Sequence, residues 1–352
     1  MKRRVVLAGT VLLMGVSAAL ADVQPGDVIT KENVSKAEGL IGPGVRWCVE
    51  HGMRLHIVAP RKVEWPRRYR EATEKYSGQV RLAPDRNKLE NYVAGMPFPH
   101  IDPNDPDAAT KIMWNYQYKP LITDDVLMRD FEVPSGPLTY TSPMVPDREF
   151  VIGDLRRLYY NGRLFVDPKP ELPNPDGVRY KEILSPVVAP YDMKGVGALY
   201  IRYVDASRQD DSWLYVPAVR RVRRMSTAQR SDALFGQDTD VDSYWGFSGH
   251  IAWFDWKLLG VREMLGVLHR EHFRPQRCPG GADFVFCDNW EKRKVYVIEG
   301  TSRLPQYAYG KRVLYIDSEA WVVLASDIYD KRGELWKVWI EYFSFRKQAP
   351  GS

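Results

Sequence analysis

Apolar and polar positions alternate over much of this chain, most clearly toward its C-terminus. KRVLYID (311 to 317), AWVVLASDIYD (320 to 330) and ELWKVWIEYFSF (334 to 345) are strand-like runs joined by Asp317-Ser318-Glu319 and Asp330-Lys331-Arg332-Gly333, the pattern of a meander of hairpins. In the last run Trp336, Val338, Ile340 and Tyr342 share one face, and Leu335, Lys337, Trp339 and Glu341 share the other. One face is apolar and the other mixed, as in an antiparallel sheet that buries one side. Upstream, LRRLYY and RLFVDP flank Asn161-Gly162, a hairpin signal. QVRLA and LENYVAG are placed to pair across Asp85-Arg86-Asn87. Helical spacing is confined to short segments: PRRYREATEKY at 66 to 76, and DPDAATKIMWNYQY, where Asp105 can cap and Pro106 occupies the first turn. KLLGVREMLGVLHR at 257 to 270 has helical spacing but carries Gly260 and Gly266. With no fixed-period repeat, the pattern predicts a mainly β (α+β) protein.

One run carries the densest information. In DDSWLYVPAVRRVRRMSTAQRSDALFGQDTDVDSYWG, from Asp211 to Gly246, a strand around Trp213-Leu214-Tyr215-Val216 ends near Pro217 and is followed by Arg220, Arg221, Arg223 and Arg224. Ser226-Thr227-Ala228-Gln229 reads as a capping box opening a short helix over 226 to 234. Gly236 is a natural stop before Asp238, Asp240 and Asp242. The guanidiniums have two readings. They contact an anionic ligand or membrane phosphate through their fork geometry, or they pair with the three aspartates and hold the loop.

This segment resembles the outer-membrane lipoprotein-sorting-protein-like group, and more closely the branch called domain of unknown function thirteen-twenty-nine. The resemblance extends to NYVAGMPFPHIDPNDPDAATKIMWNYQY at 91 to 118, ALYIRYVD at 198 to 205 and YGKRVLYIDSEAWVVLASDIYDKRGELWK at 309 to 337, which is most of the mature chain. Members are similar to LolA and LolB, so the resemblance implies a large curved antiparallel sheet, a half-barrel around a few short helices, enclosing an apolar cavity for acyl chains. It also implies a possible partner, an inner-membrane exporter of the resistance-nodulation-division type. Such proteins usually continue past the "LWK" strand, whereas this sequence ends at Ser352, so a C-terminal part of the family domain is expected beyond it.

Residues 1 to 21 have the parts of a secretory signal: Lys2, Arg3 and Arg4, an apolar stretch from Val5 to Leu20, and Ala19-Leu20-Ala21 before Asp22. That stretch is short of the roughly 20 residues that span a membrane. Asp22 stands where a lipoprotein would carry cysteine, so the expectation is a soluble periplasmic protein, not a lipoprotein, with a single domain over 22 to 352. DPKPELPNPDG at 167 to 177 reads as a long connection inside one sheet. The formal charge of +5 includes three basic residues of the signal; removing them leaves 47 basic against 45 acidic, and that near-balance argues against nucleic acid. In an oxidising compartment Cys278 and Cys287, separated by PGGADFVF, are expected to form a disulfide, with Cys48 left as a small buried hydrophobe.

Catalytic chemistry finds little support. Asp238-x-Asp240-x-Asp242 opens like a calcium loop but has Ser243 and Gly249 where such a loop needs glycine and glutamate. His269-x-x-His272 with Cys278 and Cys287 offers a zinc set that competes with the disulfide. Gly246-Phe247-Ser248-Gly249-His250 is not a nucleophile elbow. Large aromatics cluster around the arginine run: Trp213, Tyr215, Trp245, Phe247, Trp253 and Trp256 suit either a lipid-cavity wall or a sheet core. The expected function is a non-catalytic, cofactor-free periplasmic carrier or acceptor of a hydrophobic ligand such as a lipid, lipoprotein acyl chain or exported hydrophobic compound. Its ligand-binding candidates are Trp213, Tyr215, Arg220, Arg221, Arg223, Arg224, Trp245, Phe247 and Trp253. The alternatives are an exported metal-dependent hydrolase using His269 and His272, or a structural subunit of an envelope export complex.

Overall fold

The computed structural model describes residues 22–137, 147–271 and 288–346. The signal segment, His272, Cys278 and Cys287 lie outside the described residues, and Cys48 is a buried free thiol pushed up to about 12 by that burial and by Asp327. In chain order, β1 (Val28–Ile29), helix α1 (Pro43–Glu50), β2 (Leu55–Val58) and α2 (Arg67–Tyr76) precede β3 (Arg81–Leu82), β4 (Leu89–Glu90) and α3 (Ala108–Gln117). There follow β5 (Asp125–Ser135), β6 (Arg148–Tyr159), β7 (Val178–Leu184), β8 (Val187–Ala189), β9 (Gly197–Tyr203), β10 (Asp211–Val216) and β11 (Arg221–Met225). The last strands are β12 (Phe254–Gly266), β13 (Asn289–Ser302), β14 (Lys311–Asp317), β15 (Val323–Tyr329) and β16 (Leu335–Ile340).

The mainly β class holds, and fourteen of the described strands divide between two seven-stranded sheets, with β3 and β4 paired apart from them. The first has the order β1-β2-β13-β14-β15-β16, with β12 on the other side of β13. Beyond β12 and β16 the chain bridges Val267 to Tyr342 and His269 to Ser344, which curls this sheet until its two edges meet at one end. The second has the order β11-β10-β9-β7-β6-β5, with β8 beside β6. The first sheet is apolar on both faces: Val313 and Tyr315 of β14 belong to a core with α1, while Leu314 and Ile316 belong to a core with α2 and α3. That double burial is why KRVLYID reads as a nearly unbroken apolar run.

The C-terminal meander forms as its pattern predicts, with Val338, Ile340 and Tyr342 on the first core and Trp336 exposed. The hairpin across Asp85-Arg86-Asn87 also forms, its turn held by an Asn87 N–H donated to Asp85 at 3.1 Å. Three expectations are corrected. Residues 257 to 270 are mostly strand, because β12 pairs along the length of β13 and the glycine at 260 sits at a bulge. Asn161-Gly162 does not close a hairpin. Arg163 is buried and donates to the carbonyls of Tyr159 and Pro168, while the Asp124 carboxylate accepts the N–H groups of Leu164, Phe165 and Val166. These polar anchors hold the return chain off the sheet, and β6 pairs with β5 and β7 instead. Segment 167 to 177 thus connects neighbouring strands of one sheet. Residues 226 to 233 form no helix, since Thr227 Oγ donates to the Asp210 carbonyl at 2.8 Å instead of capping.

Helix α2 lies where its spacing places it, and α3 begins at Ala108 with Asp107 as N-cap, Asp105 accepting the Asp107 N–H one step earlier. Helix α1 has little sequence signal beyond Pro43 at its first position. It is fixed from outside: the Gly44 N–H donates to Asp327 Oδ1 of β15 at 2.9 Å. A Cβ on Gly44 would lie 2.4 Å from that oxygen and 2.5 Å from Val338 of β16. Gly44→Ala is expected to destabilise the protein by about 1–3 kcal/mol through overpacking, read as a lowered midpoint in urea unfolding; an unchanged midpoint would show that α1 is not seated on β15 and β16 as described.

Candidate functional site

Three buried carboxylates, Asp210, Asp240 and Asp242, meet three buried guanidiniums, Arg202, Arg230 and Arg312, where the two sheets approach each other. Asp210, just before β10, accepts Arg202 Nη2 of β9 at 3.0 Å, Arg230 Nη1 at 2.8 Å and His250 Nε2 at 2.8 Å, and also accepts the Tyr200 hydroxyl. Arg230 spans to Asp242 through Nε at 2.7 Å. Asp242 accepts Tyr307 OH at 3.1 Å, Asp240 accepts Tyr309 OH at 2.6 Å, and Arg312 of β14 donates to Tyr307 OH at 3.0 Å. Burial alone pushes Asp210 up, but the charge of Arg202, the hydrogen bond from His250 and the charge of Arg230 outweigh it and hold the carboxyl well below its ordinary range. Burial also depresses His250 to about 4, with Arg202 adding to it and Asp210 opposing, so the imidazole is neutral and donates from Nε2.

Arg202 forms one wall of a cavity of about 50 Å³ between the second sheet, α3 and the segment before β12. Lys119, Arg157, Arg179 and Arg202 supply its cations, and Tyr116, Tyr159, Tyr180, Trp245 and Phe247 its rings. Trp245 reaches this wall from a left-handed backbone with φ of 60°, uncommon for so bulky a residue, and its carbonyl accepts Tyr116 OH at 2.8 Å. Gly246 follows at φ of 77° with its Cβ direction blocked by Val323, 2.4 Å away. Burial pushes the nearby Glu341 carboxyl up to about 7, and burial together with Arg157 and Arg179 lowers Lys119 to about 7.

Paired strand residues share a face, so the register shows what lies beside the cavity. On its side of the second sheet runs Tyr159-Tyr180-Arg202, then Arg157-Glu182-Tyr200, then an apolar row of Met128, Leu155, Leu184, Ala198 and Leu214 ending at Arg223. Every apolar member of that last row is half-buried and outside both cores. The opposite face carries Leu127, Ile183, Leu199 and Trp213, ending at Arg224. Among the described residues, eleven of the sixteen exposed large hydrophobics lie between 127 and 225, seven of them on strands of the second sheet, so exposed apolar surface is concentrated on this sheet and its connections. A more open groove of about 530 Å³ lies between α2 and the start of α3; its cations Arg81 and Lys111 are already bonded, to backbone carbonyls and to Asp105.

The sequence candidates are thereby separated. Trp245 and Phe247 line the cavity. Trp253 lies against the buried cluster, its ring 5.5 Å from Arg230 and its Nε1 donating to Ala206. Trp213 and Tyr215 are on the opposite face of the second sheet. Arg220, in a left-handed turn, and Arg221, Arg223 and Arg224 of β11 are exposed on the edge strand, Arg221 and Arg223 facing one way and Arg224 the other, where it pairs with Asp211. The arginine-to-aspartate loop network is corrected: Asp240 and Asp242 are held by Ser243, Arg230 and the two tyrosines, and Asp238 accepts Lys337 Nζ through its carbonyl at 2.7 Å. The calcium reading loses two of its ligands to those bonds. His269 Nδ1 lies 2.5 Å from Glu291, which also takes Arg61 and Arg293. Sequence reasoning missed Lys119, Arg157, Arg179, Arg202, Arg230, His250 and Arg312; Arg157, Arg179, Arg202 and Arg312 leave a linear trace as basic residues inside strand-like runs, as in ALYIRYVD, and the other three lie outside strands.

The family described as Protein of unknown function (DUF1329) matches residues 28–351. An uncharacterized protein of Pseudomonas aeruginosa is 24% identical over 338 residues, spanning 90% of this chain and 69% of that protein. Similar solved structures include a DUF1329 family protein of Desulfovibrio piger, with TM-score 0.40, 16% identity, and 66% of this chain against 76% of that one. A LolA superfamily protein of Nitrosomonas europaea has TM-score 0.28 and 15% identity, over 62% of this chain and 69% of that one.

Two outcomes follow from the buried cluster. Asp210→Asn strands Arg202 and Arg230 and is expected to cost about 3–5 kcal/mol, whereas Arg223→Ala with Arg224→Ala on the exposed edge costs about 0–1 kcal/mol. Equal effects in thermal melts would contradict this placement. Between pH 6.5 and about 4 the unfolded His250 carries a proton that the folded one lacks, so stability falls as pH falls across that window, by at most about 1.4 kcal/mol per unit. Asp210 stays ionised throughout because its folded value lies lower. His250→Gln should flatten the slope of midpoint against pH; an unchanged slope would place its origin elsewhere.

Proposed function

The chain belongs to the DUF1329 family, and from that premise we propose that it is a non-catalytic periplasmic carrier or acceptor for a hydrophobic ligand, which lies on the cavity side of the second sheet. The observation that carries this reading is the row Met128, Leu155, Leu184, Ala198 and Leu214: a cross-strand apolar strip, half-buried, and shared by neither core. An ordinary antiparallel sheet turns its second face to water with polar side chains, and this one carries an apolar row on each face. Among the described residues no helix is long and apolar enough to cross a membrane, so the strip is not accounted for by a helical span.

Burial of about ten methylenes on the strip gives roughly 8 kcal/mol. Association costs at least about 4 kcal/mol. The remainder corresponds to a Kd near about 1 mM for a tail alone, weak enough for handover and in need of a second contact for capture. The cavity of about 50 Å³ is too small to enclose a long chain, so the tail lies along the sheet. Release then follows if a partner, such as an inner-membrane exporter of the resistance-nodulation-division type, flattens the curved strands.

Mass spectrometry of lipids extracted from denatured protein is expected to find a co-purifying amphiphile. Leu184→Glu should weaken binding of a fluorescent dodecyl probe by about tenfold or more, while Ile183→Glu, one residue away and on the opposite face, should leave it nearly unchanged. Equal loss at both positions, or none at either, would reject the strip as the binding surface.

A further inference from the structure

Four cations line the cavity, and only two are neutralised within it. Arg157 is paired with Glu182 at 2.5 Å and Arg202 with Asp210 at 3.0 Å. Lys119 and Arg179 have no ion-pair carboxylate among the described residues. Arg179 is 4% exposed, donates Nη2 to the Gln117 carbonyl at 2.8 Å, and leaves Nη1 buried with no hydrogen-bond partner. Its guanidinium lies 4.4 Å from the Tyr118 ring centre and 5.6 Å from that of Tyr159, so it is clamped and cannot swing out to water. Lys119 sits over Tyr116, its Nζ 4.0 Å from the ring centre and 3.3 Å from that residue's carbonyl oxygen. Glu341 is the remaining acidic group felt by Lys119, and its carboxylate is engaged by Trp339 Nε1.

A buried donor left unpaired costs free energy, and a buried charge without a counter-charge costs more. The bond to Gln117 and the two rings hold Arg179 in place, but they leave its charge without a carboxylate and its buried Nη1 without an acceptor. We propose that this cavity is a subsite for an oxyanion, the carboxylate or phosphate head of a single-chain amphiphile. This rests on the carrier reading above for the tail. The geometry joins the two: Arg157 at the cavity edge is one strand row from the apolar strip, about 7 Å along the sheet at two residues per row, so a chain of about twelve carbons reaches from the cavity onto the strip. The forked guanidinium of Arg179 and the Lys119 ammonium give the head charge-assisted hydrogen bonds, and the water-poor setting strengthens them. An entering anion raises Lys119 from about 7 and draws a proton onto it, so binding is tightest at and below about pH 7 and weakens as pH rises above it.

The test uses delipidated mature protein in calorimetric titrations with dodecanoate, dodecyl phosphate, dodecyltrimethylammonium and dodecyl maltoside, below their micelle concentrations. The expected result is that one or both anionic compounds bind about tenfold or more tighter than the other two. Arg179→Met and, separately, Lys119→Met should abolish that preference while leaving maltoside binding unchanged. The stronger of the two anionic compounds identifies the head. Binding of all four with equal strength, unchanged in both variants, overturns the oxyanion subsite and leaves the carrier reading standing. If no dodecyl compound binds, the carrier reading fails; inorganic phosphate binding that is lost in both variants then upholds the subsite, and its absence overturns that too. Thermal melts of both variants establish that they are folded, and Lys119→Met, at a half-buried side chain with no ion pair, keeps the comparison if Arg179→Met does not fold.

Discussion

Asp210 stands where the two sheets meet, and four charged or polar side chains, Tyr200, Arg202, Arg230 and His250, converge on its carboxylate from three separate parts of the chain. Arg202 comes from β9, Arg230 from the irregular segment after β11, and His250 from the approach to β12. Arg230 then carries the connection to Asp242, which Tyr307 joins to Arg312 in the first sheet. Three carboxylates and three guanidiniums balance in charge, which is the condition for so many ions to be buried together. The cluster therefore contributes less to net stability than to geometry. It ties β9 and the start of β10 in the second sheet to β14 in the first, beside the cavity that Arg202 lines.

The same cluster explains why strain is tolerated beside it. Trp245 and Gly246 occupy left-handed backbone in succession, and the turn is pinned by Tyr116 OH, by Val323 packed against Gly246, and by Arg312 reaching the Gly246 carbonyl at 3.3 Å. Such a conformation persists only where the surroundings over-determine it. Its effect is to turn the Trp245 and Phe247 side chains toward the cavity, opposite the cations of the second sheet.

The second sheet is unlike the first. The first buries both faces and is held by two cores; the second leaves apolar side chains half-open on both faces and ends in an edge strand with four arginines in or beside it. Charged edges guard against strand addition from another chain, and here the arginines stand at the end of an apolar row on each face, Leu214 beside Arg223 and Trp213 beside Arg224. The arginine run thus sits where it blunts an open sheet edge, on an exposed strand outside the cavity. The cations placed to meet a ligand are others, spread over α3's C-terminal end, β6, β7 and β9.

What the linear sequence determined was local: the meander from 311 to 345, the helix at 66 to 76, the mainly β class, and the family, whose motifs are short-range strings of neighbouring residues. Hydrophobic period and turn chemistry act over a few residues and are legible there. The pairing of β12 with β13, the refusal of Asn161-Gly162 to turn and the lost helix at 226 to 234 were decided by tertiary partners, because strand pairing and buried arginines override local propensity. The cavity belongs wholly to the tertiary structure. Lys119, Arg157, Arg179 and Arg202 span 83 residues of chain, and each alone looks like an ordinary surface cation. Only when the second sheet folds toward α3 are they brought around one space and stripped of water, and it is that shared desolvation, which no spacing encodes, that turns four scattered charges into a site.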